Sequence, residues 1–142
     1  MSVFWLHERL AADCHVLGDW PLSRVLLMDD RRWPWLILVP RRAGIAELHE
    51  LAEPDRRRLW HESARLSVAL RAVAPCERLN VAALGNVVPQ LHLHHVARAA
   101  GDPNWPRPVW GFGAREPYPP EVAGALATAL RAALAEPLAA IG

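Results

Sequence analysis

The chain has 142 residues, an apolar fraction of 52% and a formal charge of +1, which fit one domain with a real core and exclude a disordered or strongly basic chain. No apolar run approaches the roughly 20 residues that span a bilayer, and Met1-Ser2-Val3-Phe4-Trp5 leads straight into charged residues rather than a secretory leader. A cytoplasmic protein with no membrane partner is therefore expected.

All 16 basic residues are arginine, and with abundant Ala, Leu, Pro and Trp this is the composition of a GC-rich bacterial genome. The arginines at 31–32, 41–42 and 56–58 do not form the dense basic stripe of a nucleic-acid binder, so no nucleic-acid polymer is expected as partner. Cys14 and Cys76 form no Cys-x-x-Cys knuckle and read as free buried thiols of a reducing compartment.

In chain order, Leu6–Ala12 reads as a short helix, His15–Asp19 as a first strand and Ser23–Met28 as a second, stopped by Asp29-Asp30. Trp35–Val39 is a nearly continuous apolar run, the pattern of a strand covered on both faces. Pro34 and Pro40 bracket it, because a proline cannot donate to a ladder. From Pro54 to Val73 the apolar residues recur three and four apart, which predicts an amphipathic helix that Pro54 opens and Pro75 ends.

Leu79–Leu84 is a fourth strand, Gly85-Asn86 a turn, and Val88–Ala97 a fifth strand pairing with it as an antiparallel hairpin. A loop dense in Pro and Trp follows over residues 101–111. Pro119-Pro120-Glu121 then opens an Ala/Leu-rich helix running to about Glu136. The expected fold class is α+β: one domain over residues 1–142, with a mainly antiparallel five-stranded sheet, one long helix and a C-terminal helix.

The fifth strand carries the chemistry. Side chains alternate between the faces of an extended strand, so Gln90, His92 and His94 would project from one face while Leu91 and Leu93 enter the core. Three readings stay open. A neutral imidazole is a competent nucleophile toward phosphorus, and His92 stands at the centre of the row with Gln90 and His94 flanking it. Alternatively, His92 and His94 have the His-x-His spacing of a metal-dependent hydrolase, with His95, Asp102 or a distant residue as third ligand. No His-x-His-x-Asp-His pattern or Cys pair accompanies them, so no metal ligand is assigned. The third reading is a solvated strand face.

By alternation His95 faces away from this row. His7, His15, His49 and His61 have no spacing that marks a site. Trp5, Trp20, Trp33 and Trp60 are expected as core or interface anchors. Trp105 and Trp110 either close the cleft and stack a base or pin the Pro-rich loop to the sheet.

The run Val88-Pro89-Gln90-Leu91-His92-Leu93-His94-His95-Val96-Ala97-Arg98 resembles the signature of the histidine triad family of nucleotide hydrolases and transferases. Gly85-Asn86-Val87-Val88-Pro89 resembles that family's lead-in. Trp33-Pro34-Trp35-Leu36-Ile37-Leu38-Val39-Pro40-Arg41-Arg42 resembles its earlier strand, so the likeness covers roughly residues 13–100. With the Gly-Asp-x-x-Trp-Pro-x-Pro-Val-Trp-Gly tail, the chain is most similar to a bacterial branch described as diadenosine tetraphosphate hydrolase-like.

The resemblance implies a histidine triad fold and cleavage at the α-phosphorus of a dinucleoside polyphosphate or nucleoside phosphoramidate. A covalent nucleotidyl group would form on His92, and a nucleoside monophosphate would be released. His94 and Asn86 would hold phosphate oxygens, and Asp29, with Asp30 as close rival, would meet the ribose. Trp35 stands where the family often has Gly-His, which leaves the base-binding wall unassigned. Gln90 stands where the first histidine sits; it orients but cannot act as an acid near pH 7, and a nucleotide-binding protein with weak catalysis is the alternative this raises. The resemblance further implies a homodimer, with Trp60 and Leu70 as candidate contacts. It implies no resident cofactor, although a divalent cation can accompany the substrate.

Overall fold

The structure, a computed structural model, describes residues 3–134. In chain order it contains α1 (Glu8–Asp13), β1 (Cys14–Asp19), β2 (Ser23–Met28), β3 (Trp35–Pro40), α2 (Glu53–Val73), β4 (Arg78–Ala83), β5 (Leu93–Arg98) and α3 (Pro120–Ala133). The five strands form one sheet in the order β1-β2-β3-β5-β4, antiparallel at every pairing. The α+β architecture read from the sequence is the one observed. The expected extension of the last helix to Glu136 lies outside the described residues.

Alternation along the central strands builds two cores. Leu36 and Leu38 of β3 turn toward α2 and α3, where they pack with Leu59, Leu66 and Leu130. Trp35, Ile37 and Val39 turn the other way, into a second cluster with Leu10 of α1, Val88 and Val109. All six residues of β3 are buried, as its unbroken apolar run predicts for a strand with both faces covered. Glu62 locks α2 to the sheet: its buried carboxylate accepts the Leu22 and Ser23 N–H groups at 3.0 and 3.1 Å.

One strand departs from the sequence reading in a way that matters. β5 begins at Leu93, not at Val88. Its first residue pairs with both Leu38 and Ala83, and continuing the register would set Pro40 opposite Leu91. Pro40 has no N–H to give, and the Leu91 N–H instead donates to the Ile45 carbonyl at 2.9 Å. The chain leaves the ladder there, so Gln90 is not on the strand that carries His94.

Trp20 and Trp33 are core residues, whereas Trp5 and Trp60 lie on the surface, 78% and 71% exposed. One packing expectation is corrected. Leu70 is buried in the α2 core, so its side chain is not available as a surface contact. Cys14 and Cys76 are free, and burial pushes the Cys14 thiol up to about 12, which keeps it an inert thiol. Among the described residues no helix is long and apolar enough to cross a membrane.

Candidate functional site

β5 and the residues just before it bring His92 and His94 together. Their ring centroids are 4.8 Å apart at 72°, and both rings line a cavity of about 310 Å³ with Met28, Ile37, Asn86, Val88 and Trp110. His94 sits opposite Ile37 of β3 and Ala82 of β4, so the middle of the sheet fixes its position. On the next residue the strand turns its side chain through to the helix face. There His95 Nδ1–H donates to the Leu93 carbonyl at 3.1 Å, and Ser63 Oγ–H donates to His95 Nε2 at 2.7 Å.

The hydrogen bonds assign the tautomers of the two site histidines. His92 Nδ1 lies 2.7 Å from the Gln90 carbonyl oxygen. A carbonyl only accepts, so Nδ1 carries the proton and the Nε2 lone pair is free. His94 is the reverse. The buried Trp35 indole N–H donates to His94 Nδ1 at 3.0 Å, so in the neutral ring the proton is on Nε2. One ring thus offers a nucleophile and the next a hydrogen-bond donor.

Burial favours the neutral form of both. It pushes His92 below the ordinary imidazole range, against the pull of the Gln90 carbonyl. It pushes His94 down to about 3, helped by the neighbouring His92 and His95. At neutral pH, therefore, His92 presents an unprotonated Nε2 and His94 presents an Nε2–H, with neither ring carrying charge.

The resemblance assigns Trp35 no role; in the structure its indole N–H orients His94. Trp35→Phe keeps the packing but removes the donor. It is expected to let His94 populate both tautomers, visible in its ¹⁵N ring shifts, and to lower kcat roughly tenfold, the worth of one well-placed hydrogen bond. An unchanged tautomer in this variant would refute the assignment.

Of the other residues named from sequence, Asn86 and Trp110 line the cavity, and the Trp110 ring lies 5.4 Å from that of His94. Gln90, Asp29 and Trp105 are not brought to it. The Gln90 amide bonds the N-terminal segment, donating to the Trp5 carbonyl and accepting the His7 N–H. Asp29 accepts the Tyr118 N–H at 3.0 Å and meets His15 at 3.1 Å and Arg115 at 3.4 Å. Its rival Asp30 is buried against Arg32 at 2.7 Å. Trp105 packs over Arg98 at 5.8 Å.

Sequence reasoning missed Arg9, Leu10 and Asp13, which close the cavity from α1. Their only signal was a short helix whose destination the sequence does not state. The third metal ligands considered for the His-x-His pair are engaged elsewhere: His95 with Ser63, and Asp102 with Arg98 at 2.7 Å. Among the described residues no group of three or more His, Cys, Asp or Glu side chains is placed to hold a metal ion.

The HIT domain family matches this chain over residues 9–101. Three solved structures, each described as a histidine triad protein, are similar over nearly the whole chain. The one from Marinobacter aquaeolei VT8 is 50% identical, with a TM-score of 0.91, and the alignment covers 94% of this chain and 97% of that one. The one from Sinorhizobium meliloti 1021 is 47% identical with a TM-score of 0.90, covering 92% and 97%. The one from Bradyrhizobium japonicum is 44% identical with a TM-score of 0.91, covering 94% and 99%. Among curated proteins no match is found.

Proposed function

Since the chain belongs to the HIT domain family, we propose that it is a nucleotide hydrolase or nucleotidyl transferase acting at the α-phosphorus of a dinucleoside polyphosphate or nucleoside phosphoramidate. The observation that carries this reading is the opposed pair of tautomers. The His92 Nδ1–H is held by the Gln90 carbonyl, and the His94 Nδ1 is held by the Trp35 indole.

The His92 Nε2 lone pair attacks the α-phosphorus. The bond from phosphorus to the leaving group breaks, and its electron pair departs with the leaving group. The positive charge that develops on His92 is stabilised by the Gln90 carbonyl, and His94 Nε2–H and Asn86 donate to the non-bridging oxygens. Water then attacks phosphorus. The P–N pair returns to His92, the water proton passes to solvent, and a nucleoside monophosphate is released.

None of these steps calls for a resident cofactor, and a divalent cation would arrive with the polyphosphate. Trp110, at the cavity wall, is the residue for stacking the base. A homodimer accords with this reading; Trp60 and Val68, 71% and 73% exposed on α2, are its contact candidates in place of Leu70.

The test is to mix the protein with diadenosine tetraphosphate or an adenosine phosphoramidate, quench in the millisecond-to-second range, and weigh the intact chain. An adenylyl mass increment that maps to His92, with AMP as product, is the expected result. Tight nucleotide binding with neither adduct nor AMP would identify a binding protein instead.

A further inference from the structure

Gln90 stands where the resemblance places a first histidine, yet its amide is directed at the N-terminal segment. Its Nε2 donates to the Trp5 carbonyl at 2.6 Å, and its Oε1 accepts the His7 N–H at 2.9 Å. These are contacts across more than eighty residues of sequence, and they strap the segment before α1 beside the residue whose own carbonyl holds His92. The strap brings in an imidazole: His7, together with Gln90, Pro89, Gly44, Ile45 and Ala46, lines a second cavity of about 310 Å³.

Gln90 contacts residues of both cavities. Its main chain orients the attacking histidine of one, and its side chain holds the wall of the other. The His7 ring is half-buried and has a fixed tautomer, because its Nδ1 accepts the Arg9 N–H at 3.1 Å. In the neutral ring the proton is therefore on Nε2, leaving that nitrogen as a donor.

We propose that Gln90 acts as a positioning residue for the N-terminal segment, and that His7, set by this strap, donates its Nε2–H to the leaving group as it departs toward the second cavity. The inference rests on the function proposed above and deepens it at the leaving-group end. As the phosphorus–oxygen bond breaks, the electron pair moves onto the leaving oxygen, and His7 stabilises that charge by a hydrogen bond. No proton is transferred, so the neutral ring suffices for a polyphosphate or aryloxide that is stable as an anion.

The experiment uses a series of aryl esters of adenosine monophosphate whose phenols range from p-nitrophenol to phenol, with wild type, His7→Ala, His7→Gln and Gln90→Leu. The expected loss in His7→Ala is under about threefold for the nitrophenyl ester and on the order of 100-fold for the phenyl ester, the range of a lost transition-state donor. His7→Gln, which keeps an N–H, should recover part of the phenyl-ester rate. Gln90→Leu, which releases the strap, should reproduce the steeper dependence on phenol acidity. An equal loss on every ester, or no loss, would overturn the role of His7. Failure of the wild type to cleave any of the esters or diadenosine tetraphosphate would instead overturn the proposed function itself.

Discussion

Replacing His92 with alanine is expected to abolish the adenylyl adduct and to lower kcat by on the order of 10⁴-fold or more, the scale on which enzymes lose rate when their nucleophile is removed. The expectation follows from geometry. His92 supplies a free Nε2 lone pair into the cavity, because its other nitrogen is committed to the Gln90 carbonyl at 2.7 Å. His94 cannot take over, since its Nε2 bears the proton while the Trp35 indole holds its Nδ1. His94→Ala should accordingly keep the adduct and form it more slowly, by about 10²-fold for one donor lost from the transition state.

The pH dependence of the wild type carries the same signature. Protonation removes the lone pair of His92, so the rate should fall on the acid side. The midpoint should lie below the ordinary imidazole value of 6.5, because burial disfavours the charged ring. His94, pushed down to about 3, stays neutral through that range and leaves the limb to His92. Pre-steady-state kinetics from pH 4 to 8 would measure it. A His92→Ala protein that still forms the adduct would sink the mechanism.

Arg98→Ala is expected to cost about 3–5 kcal/mol of stability, the usual penalty for breaking a buried ion pair from one side. Arg98 is 1% exposed. Its guanidinium donates to Asp102 at 2.7 and 3.1 Å, to Asn80 Oδ1 at 2.8 Å and to the Arg107 carbonyl at 2.7 Å. Truncation removes the charge partner of Asp102, which keeps backbone N–H donors such as that of Asn104, and takes away the guanidinium donors to Asn80 and the Arg107 carbonyl. Arg98→Lys should rescue little, because an ammonium cannot serve this forked set of acceptors.

The loss is a large fraction of the roughly 5–15 kcal/mol that holds a domain together, and a thermal melt should fall by about 10–20 °C. Function should suffer as well, since Arg98 ties β5 to the loop that carries Trp110 into the cavity wall. A melt within a degree or two of wild type would refute this.

The same pair sets an acid limit on stability. Burial by itself would raise the Asp102 carboxyl, but hydrogen bonds from Arg98 and the Asn104 N–H, with the Arg98 charge, hold it down at about 2. A depressed folded pKa contributes stability above the unfolded value of 3.8, and that contribution is lost as pH falls from there toward 2. The linked amount is about 2 kcal/mol. Denaturant unfolding across that window should show it in the wild type and not in Arg98→Ala.

Much of this was legible before any coordinates. β2 spans Ser23–Met28 just as its apolar run and the stop at Asp29-Asp30 indicate, and α2 differs from its predicted span only by starting at Glu53. Both signals are local: a period of two or of three to four, and prolines that remove a donor at a known place. The pairing of His92 with His94 was legible for the same reason, since residues two apart at a strand's entrance still emerge on one side. His95 was read correctly as turned away.

What sequence could not supply was where polar side chains find their partners. Gln90 belongs to the row by spacing but bonds Trp5 and His7, because Pro40 ends the ladder before Gln90 can join it. Asp29 stands near the ribose position by likeness, yet its oxygens hold Tyr118, His15 and Arg115, which come from other parts of the chain. Trp35 stands where the resemblance has Gly-His, which assigns it no role, and its N–H sets the tautomer of a residue 59 positions away.

By itself, then, the sequence determined the order and kind of the elements, the two-sided burial of β3 and the pairing of the two histidines, because periodicity and proline act within a few residues. Only the tertiary structure decided which nitrogen of each ring bears the proton and what Gln90 holds. Those outcomes depend on single donor–acceptor distances between segments far apart in the chain, which no local pattern encodes.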